Sequence, residues 1–152
     1  LRFFLDEGLP CGPITIETEG ERVTGVDEGA ALGVRPATQA ERQSFWDHFW
    51  HRGPFIYSLD MSSFTPFETK VLVALATVPV GERVSYKELA VMSGHPRAYR
   101  AVGSTMARNP FPILLPCHRV VKSGGDVGSY GFGGPETKEK LLEWEAGLIG
   151  HD

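Results

Sequence analysis

Between Ser85 and Pro110 nearly every turn of chain carries its own start or stop signal, and this stretch limits the possible folds more than any other. Ser85 with Glu88 three residues on forms a capping box, in which an N-cap hydroxyl and an N3 carboxylate each accept the other's backbone N–H. That predicts a helix over SYKELAVM, closed by Ser93-Gly94. His95-Pro96 predicts a second helix with proline at its first position, where the missing N–H has no helical partner to lose. Asn109-Pro110 stops that helix near Arg108. Two helices joined by a short turn containing glycine read as a helix-turn-helix. At 100° per residue Arg97, Arg100, Ser104 and Arg108 share an arc of about 80°, and Ala98, Val102, Thr105 and Met106 take another face. Ala101, Gly103 and Ser104 add little bulk beside Arg100, so the helix backbone can approach a ligand closely.

The charge is distributed unevenly around this segment. The 152 residues carry a net charge of −4, which taken alone argues against a polyanionic partner. Residues 1–64 hold ten acids and five arginines. Leu89 to Gly125 holds no acid and five cations, Arg97, Arg100, Arg108, Arg119 and Lys122. Phosphate contacts depend on local charge, so this is where a polyanion would dock; a solvated basic face is the plainer alternative. No apolar run reaches membrane-spanning length, and no Arg-rich or signal-like start is present, so the expectation is a soluble, cytoplasmic protein, nuclear if eukaryotic. Two cysteines, Cys11 and Cys117, make neither a disulfide framework nor a cysteine-rich zinc site. His48 and His51 lie three apart without an acid or cysteine pattern to complete a metal site, so no metal is expected.

The chain divides near Ser62-Ser63-Phe64-Thr65-Pro66. Before it, Arg2 to Leu5, Ile14 to Glu17 and Val23 to Val26 predict short strands, the last two joined tightly at Glu19-Gly20-Glu21. A helix from Thr38 to Trp50 follows, with Thr38 and Glu41 as a capping box. After the boundary, Phe67, Val71, Leu72 and Leu75 have helical spacing up to Pro79-Val80-Gly81. The fold expected is α+β, with a mixed N-terminal domain over residues 1–62 and a mainly helical domain over residues 63–152.

Residues 116–121 read PCHRVV and carry the chemistry. A thiol beside an imidazole can be held as thiolate, its pKa lowered from about 8.5 to about 3.5–7.5. The dipeptide alone is weak ground, because neighbouring side chains on a strand or turn point in different directions.

The run GERVSYKELAVMSGHPRAYRAVGSTMARNPFPILLPCHRVV, followed by Tyr130, GFGG and LLEWE, resembles the O6-alkylguanine-DNA alkyltransferases, a family of direct-reversal repair proteins. The resemblance is specific over residues 64–147 and looser before them, where the family carries a small ribonuclease-H-like domain with a short antiparallel sheet and a helix. It implies double-stranded DNA containing O6-alkylguanine as the partner, O4-alkylthymine as a possible second substrate, a monomer, no cofactor, and a single irreversible alkyl transfer. Cys117 would be the acceptor, His118 the base acting through water, and Glu145 the residue orienting His118. Tyr86 would protonate departing guanine, and Asn109 would fix the turn before the active site. The carbonyls of Cys117 and Val120 would read the guanine amine, while Tyr130 and Gly131 begin a loop closing over the base. Arg100 resembles the family's arginine finger, which fills the gap left by an extruded nucleotide; Arg97, Arg108, Ser104 and Ala101 would meet the minor groove. This chain departs from relatives at Gly131, where many have Ser or Arg, at Trp144, where His is usual, and in a loop one residue longer. A damage-sensing relative would have Trp in place of Cys117. A transcription factor would leave PCHRVV unexplained, and a cysteine hydrolase would need an oxyanion hole that no motif marks.

Overall fold

The structure is a computed structural model describing residues 1–149. It is mixed α+β and divides into two compact units, Leu1–Asp60 and Met61–Asp152.

The first unit is a five-stranded sheet with one helix. Strands β1 (Arg2–Leu5), β2 (Ile14–Glu19) and β3 (Arg22–Glu28) run antiparallel, with β4 (Arg35–Pro36) parallel to β1 and β5 (Ser58–Leu59) parallel to β3. The β2–β3 connection turns at Gly20, whose φ of 60° suits glycine. Phe3, Leu5, Ile14, Ile16, Val23 and Val26 are buried, as a strand with one covered face requires. Helix α1 (Gln39–Phe49) has the Thr38–Glu41 capping box and contributes Phe45 and Phe49 to the core. Glu41 also accepts a bidentate pair from Arg35 at 2.8 and 2.9 Å and the Tyr57 hydroxyl at 2.6 Å.

The second unit packs α2 (Pro66–Leu75), α3 (Tyr86–Met92) and α4 (Tyr99–Ala107) together, and α5 (Gly134–Ile149) packs on the turn that carries Cys117. Helix α2 has a capping box of its own, Thr65 with Glu68, and Pro66 at its start. Val71, Leu72 and Leu75 from α2, Leu89 and Ala90 from α3, and Val102 and Met106 from α4 form the core among them. Ser85 caps α3 with Glu88 and also ends β6 (Val84–Ser85), which pairs in parallel with β7 (Val120–Val121). That two-residue ladder joins the start of α3 to the segment after Cys117.

Two expectations are corrected here. Helix α4 begins at Tyr99; Pro96 and Arg97 lie in a turn closed by the Ala98 N–H on the His95 carbonyl at 2.9 Å. Proline is equally at home at the second position of such a turn, and the link between the helices is therefore residues 93–98. The single arc of four side chains dissolves with it. Arg97 precedes the helix, and Arg108 caps its far end, where it pairs with Glu68 of α2. Among the described residues no helix is long and apolar enough to cross a membrane.

The Thr65 hydroxyl and the buried Leu72 side chain act on α2 by different means. Thr65→Ala should lower unfolding free energy by about 1 kcal/mol and Leu72→Ala by about 2–5 kcal/mol, read from chemical denaturation. No loss in Thr65→Ala would mean that the capping box adds nothing to the stability of this helix.

Candidate active site

PCHRVV folds as a single 3-10 turn, Cys117–Arg119, running directly into β7. Cys117 is therefore on a turn, and its neighbour His118 points elsewhere, as the dipeptide geometry anticipates. The Cys117 carbonyl accepts the Val120 N–H, leaving one lone pair for another donor. Val120 is buried in β7.

Asn109 organises the approach to this turn. Its side-chain oxygen accepts the Phe111 N–H at 2.9 Å and its amide donates to the Leu115 carbonyl at 3.1 Å, so one side chain spans the PFPILL loop. Ile113 within that loop has a φ of 73°, an uncommon conformation for a β-branched residue, and its side chain is buried. Burial pushes the Cys117 thiol above its ordinary pKa, while an Asn109 hydrogen bond and the charge of Lys138 pull it down. Burial prevails, so the thiolate that a neighbouring imidazole can hold is not favoured at this position.

A cavity of about 250 Å³ opens onto Cys117, lined also by Tyr86, Gly103, Met106, Ala107, Ser129, Tyr130 and Gly131. This is the scale of a small-ligand site. Gly103 faces the Tyr86 ring, where an added Cβ would lie 3.9 Å away, and an added Cβ on Gly131 would meet nothing within 4 Å. Burial first, and then the charge of Cys117, raise the Tyr86 phenol, keeping its proton in place.

Behind the cysteine lies a fully buried polar cluster. His118 Nε2 is 2.9 Å from Glu145 Oε2, and Nδ1 of the same ring has no hydrogen-bond partner. Arg119 donates through Nε to Glu145 Oε1 at 2.9 Å, through Nη2 to Oε2 at 2.6 Å, and through Nη1 to the Val78 carbonyl at 2.8 Å. Burial alone would raise the Glu145 carboxyl, but hydrogen bonds from His118 and Arg119 hold it at about 2. Burial lowers the His118 pKa against the pull of Glu145, so the ring is a neutral base near neutral pH. Arg119, counted above with the basic face, belongs instead to the interior.

A second groove of about 430 Å³ shares Tyr86, Gly103, Ala107 and Ser129 with the first and adds Tyr99, Arg100, Ser104 and Lys122. Arg100, Ser104 and Ala101 are exposed on α4. The Tyr99 ring, partly exposed, lies 5.3 Å from Lys87 Nζ and 6.0 Å from the Arg100 guanidinium, within cation–π range. Lys122 was read from sequence only as one of the five cations of the acid-free segment, and Tyr99 and Lys138 were not among the candidates. The Lys138 ammonium is buried, donates to the Ser129 carbonyl at 3.3 Å, sits 5.7 Å from the Tyr86 ring centre, and is lowered by burial to about 8. Only its place about two turns before Glu145 on α5 could have hinted at it. Among the described residues no cluster of three or more His, Cys, Asp or Glu side chains could hold a metal ion.

Residues 66–147 match the family model of the 6-O-methylguanine DNA methyltransferase, DNA binding domain. The methylated-DNA–protein-cysteine methyltransferase of Methanosarcina barkeri is 36% identical over 146 residues, 90% of this chain and 92% of that protein. The rat protein of the same name is 54% identical over 71 residues, 47% of this chain, and the matched stretch spans about a third of its length, 34%. A crystal structure of Mycobacterium tuberculosis OGT in complex with DNA has a TM-score of 0.74 at 33% identity, covering 96% of this chain and 92% of that one.

Removing the Glu145 charge leaves Arg119 buried without its counterion. Glu145→Gln should therefore cost about 3–5 kcal/mol of stability at neutral pH. The carboxyl sits below its ordinary 4.5, so its contribution is complete above that pH and drains away as pH falls toward about 2. Acid titrations of the two proteins should converge at the bottom of that range; a constant gap down to pH 2 would show that Glu145 does not titrate as described.

Proposed function

The chain belongs to the 6-O-methylguanine DNA methyltransferase family, and from that premise we propose that it repairs duplex DNA by moving the alkyl group of O6-alkylguanine onto Cys117. The observation that carries this reading is the buried Cys117 thiol at the wall of a base-sized cavity, with the His118–Glu145–Arg119 cluster directly behind it. His118 does not line the cavity, so its part is to receive a proton rather than to touch the base.

The step balances without a cofactor. The Cys117 sulfur attacks the O6-alkyl carbon, an S–C bond forms, and the C–O6 bond breaks. The thiol proton passes through water to His118 Nδ1, whose Nε2–H stays on the Glu145 carboxylate, the orienting arrangement of hydrolase triads. Tyr86 keeps its proton until the guanine leaves and then supplies it, so guanine does not depart as an anion. Lys138 lends positive charge to the developing thiolate. Asn109 holds the loop from which the thiol is presented. The thioether has no leaving route, and each chain reacts once.

The target must first leave the base stack, at a cost of a few kcal/mol. Arg100 is the side chain suited to fill the space, with Tyr99, Ser104 and Lys122 along the same groove, and the exposed Ala101 of α4, meeting the sugar-phosphate wall. Small residues on α4 suit the minor groove, where phosphate contacts bind any sequence and base edges carry little information. In this reading α3 and α4 act as a helix-turn-helix, the first unit is ribonuclease-H-like, the protein works as a monomer, and O4-alkylthymine is a second substrate. Arg97 contacts phosphate from the turn ahead of α4. Arg108, held by Glu68, contributes less than its charge suggests. Val120 offers its carbonyl to the guanine amine, and Tyr130 with Gly131 closes over the base.

Duplex DNA with radiolabelled O6-methylguanine tests this. Label should move to protein in proportion to protein, reaching at most one per chain, and Cys117→Ser should transfer none while still binding DNA. More than one repaired guanine per chain, or transfer by the serine variant, would overturn the reading. Arg100→Ala should slow repair of the duplex far more than reaction with free O6-benzylguanine, since only the duplex needs a side chain in the gap; equal losses would make Arg100 structural.

A further inference from the structure

We propose that Arg119 is a positioning residue that decides which nitrogen of His118 carries the proton, keeping Nδ1 as the acceptor. The proposal rests on the reading that His118 draws off the Cys117 proton. Nothing in that reading requires an arginine beside the relay. A carboxylate and an imidazole suffice for orientation, yet this Glu145 has both oxygens engaged by a guanidinium that is itself fully buried and anchored to the Val78 carbonyl.

The reason lies in the proton count of a buried pair. Glu145 and His118 at 2.9 Å can share one proton or two. With one, and the carboxylate ionised, the proton sits on Nε2 and Nδ1 has its lone pair. With two, it does not matter where the second resides. If the ring takes it, both nitrogens are protonated. If the carboxyl keeps it and donates to Nε2, the ring's own proton moves to Nδ1. Either form leaves Nδ1 unable to accept. Arg119 disfavours both, because a charge-assisted bidentate contact stabilises the ionised carboxylate and its positive charge opposes an imidazolium alongside. The other groups facing His118 are Glu145 and Lys138 from α5 and the Tyr130 ring 6.5 Å away. Burial lowers the His118 pKa most; Glu145 raises it, and Arg119 and Lys138 lower it further.

The consequence is a displaced pH profile rather than a uniform loss. With free O6-benzylguanine as alkyl donor, which bypasses DNA binding, Arg119→Met should move the acid limb of the rate profile upward by about 1–3 pH units. On the alkaline side its rate should return to within a few-fold of the unaltered protein. Arg119→Lys keeps the charge but cannot span both oxygens and the Val78 carbonyl, so its acid limb should stay near the original while the rate falls at all pH values. A fall of equal size at every pH in the methionine variant, with the limb unmoved, would overturn the proposal. Should that variant fail to fold, ¹⁵N NMR of the His118 ring across pH in the unaltered protein and in Arg119→Gln takes its place. Nε2 protonated and Nδ1 bare near neutral pH in the unaltered protein, with Nδ1 gaining its proton at higher pH in the glutamine variant, supports the assignment, and a proton on Nδ1 of the unaltered protein or the same titration in both refutes it. The NMR readout needs no alkylated substrate. A chain with the expected tautomer but no alkyl transfer would therefore sink the functional reading and leave the role of Arg119 standing.

Discussion

One ionised carboxylate inside the second unit holds the rest of the site in place. Glu145 comes from α5, His118 and Arg119 from the 3-10 turn, and Val78 from the turn that follows α2, and all four meet through hydrogen bonds in the interior. Taking such a charge out of solvent costs several kcal/mol unless geometry and counterion compensate it. Here both oxygens are occupied, so the cluster is stable only when α5, the 3-10 turn and the turn after α2 are assembled together. The same contact fixes the His118 ring, while burial, working against the pull of Glu145, keeps that ring neutral. Chemistry and folding in this unit therefore depend on a shared interaction.

Around that centre the chain separates two tasks by environment. Cys117, His118, Arg119 and Glu145 are buried, where electrostatic effects are strong and water competes little. The cations suited to a polyanion, Arg97, Arg100, Lys87 and Lys122, remain exposed, where contacts are screened and sequence-tolerant. Tyr86, Gly103, Ala107 and Ser129 line both the cavity and the groove. A nucleotide leaving the groove would thus have only a short path to Cys117.

Much of this was legible because local rules act locally. The Thr38–Glu41 and Ser85–Glu88 boxes declare two helix starts within four residues each, and both caps are present. The Pro96 reading failed because proline serves the second position of a turn as readily as the first turn of a helix, and only the His95–Ala98 hydrogen bond distinguishes them. Arg108 and Arg119 looked like members of one basic face because a sequence window counts charges without their partners. Glu68 lies forty residues from the first and Glu145 twenty-six from the second. Glu145 itself looks like an ordinary acid on a terminal helix, and entered only through the resemblance of LLEWE and PCHRVV to a family. Lys138 carried only the faint signal of its place before Glu145 on α5, since periodicity does not mark a lysine whose ammonium is taken into the core.

In the proposed reaction Cys117 is the terminal acceptor of an alkyl group. The most direct measurement is intact-mass and peptide-mapping mass spectrometry after exposure to excess O6-benzylguanine. The account predicts one added benzyl group per chain, on the peptide containing Cys117, with Cys11 unmodified; burial raises the Cys11 thiol to about 11 and leaves it a poor nucleophile. An unmodified Cys117 under these conditions, or a benzyl group carried by Cys11 in its place, would contradict it.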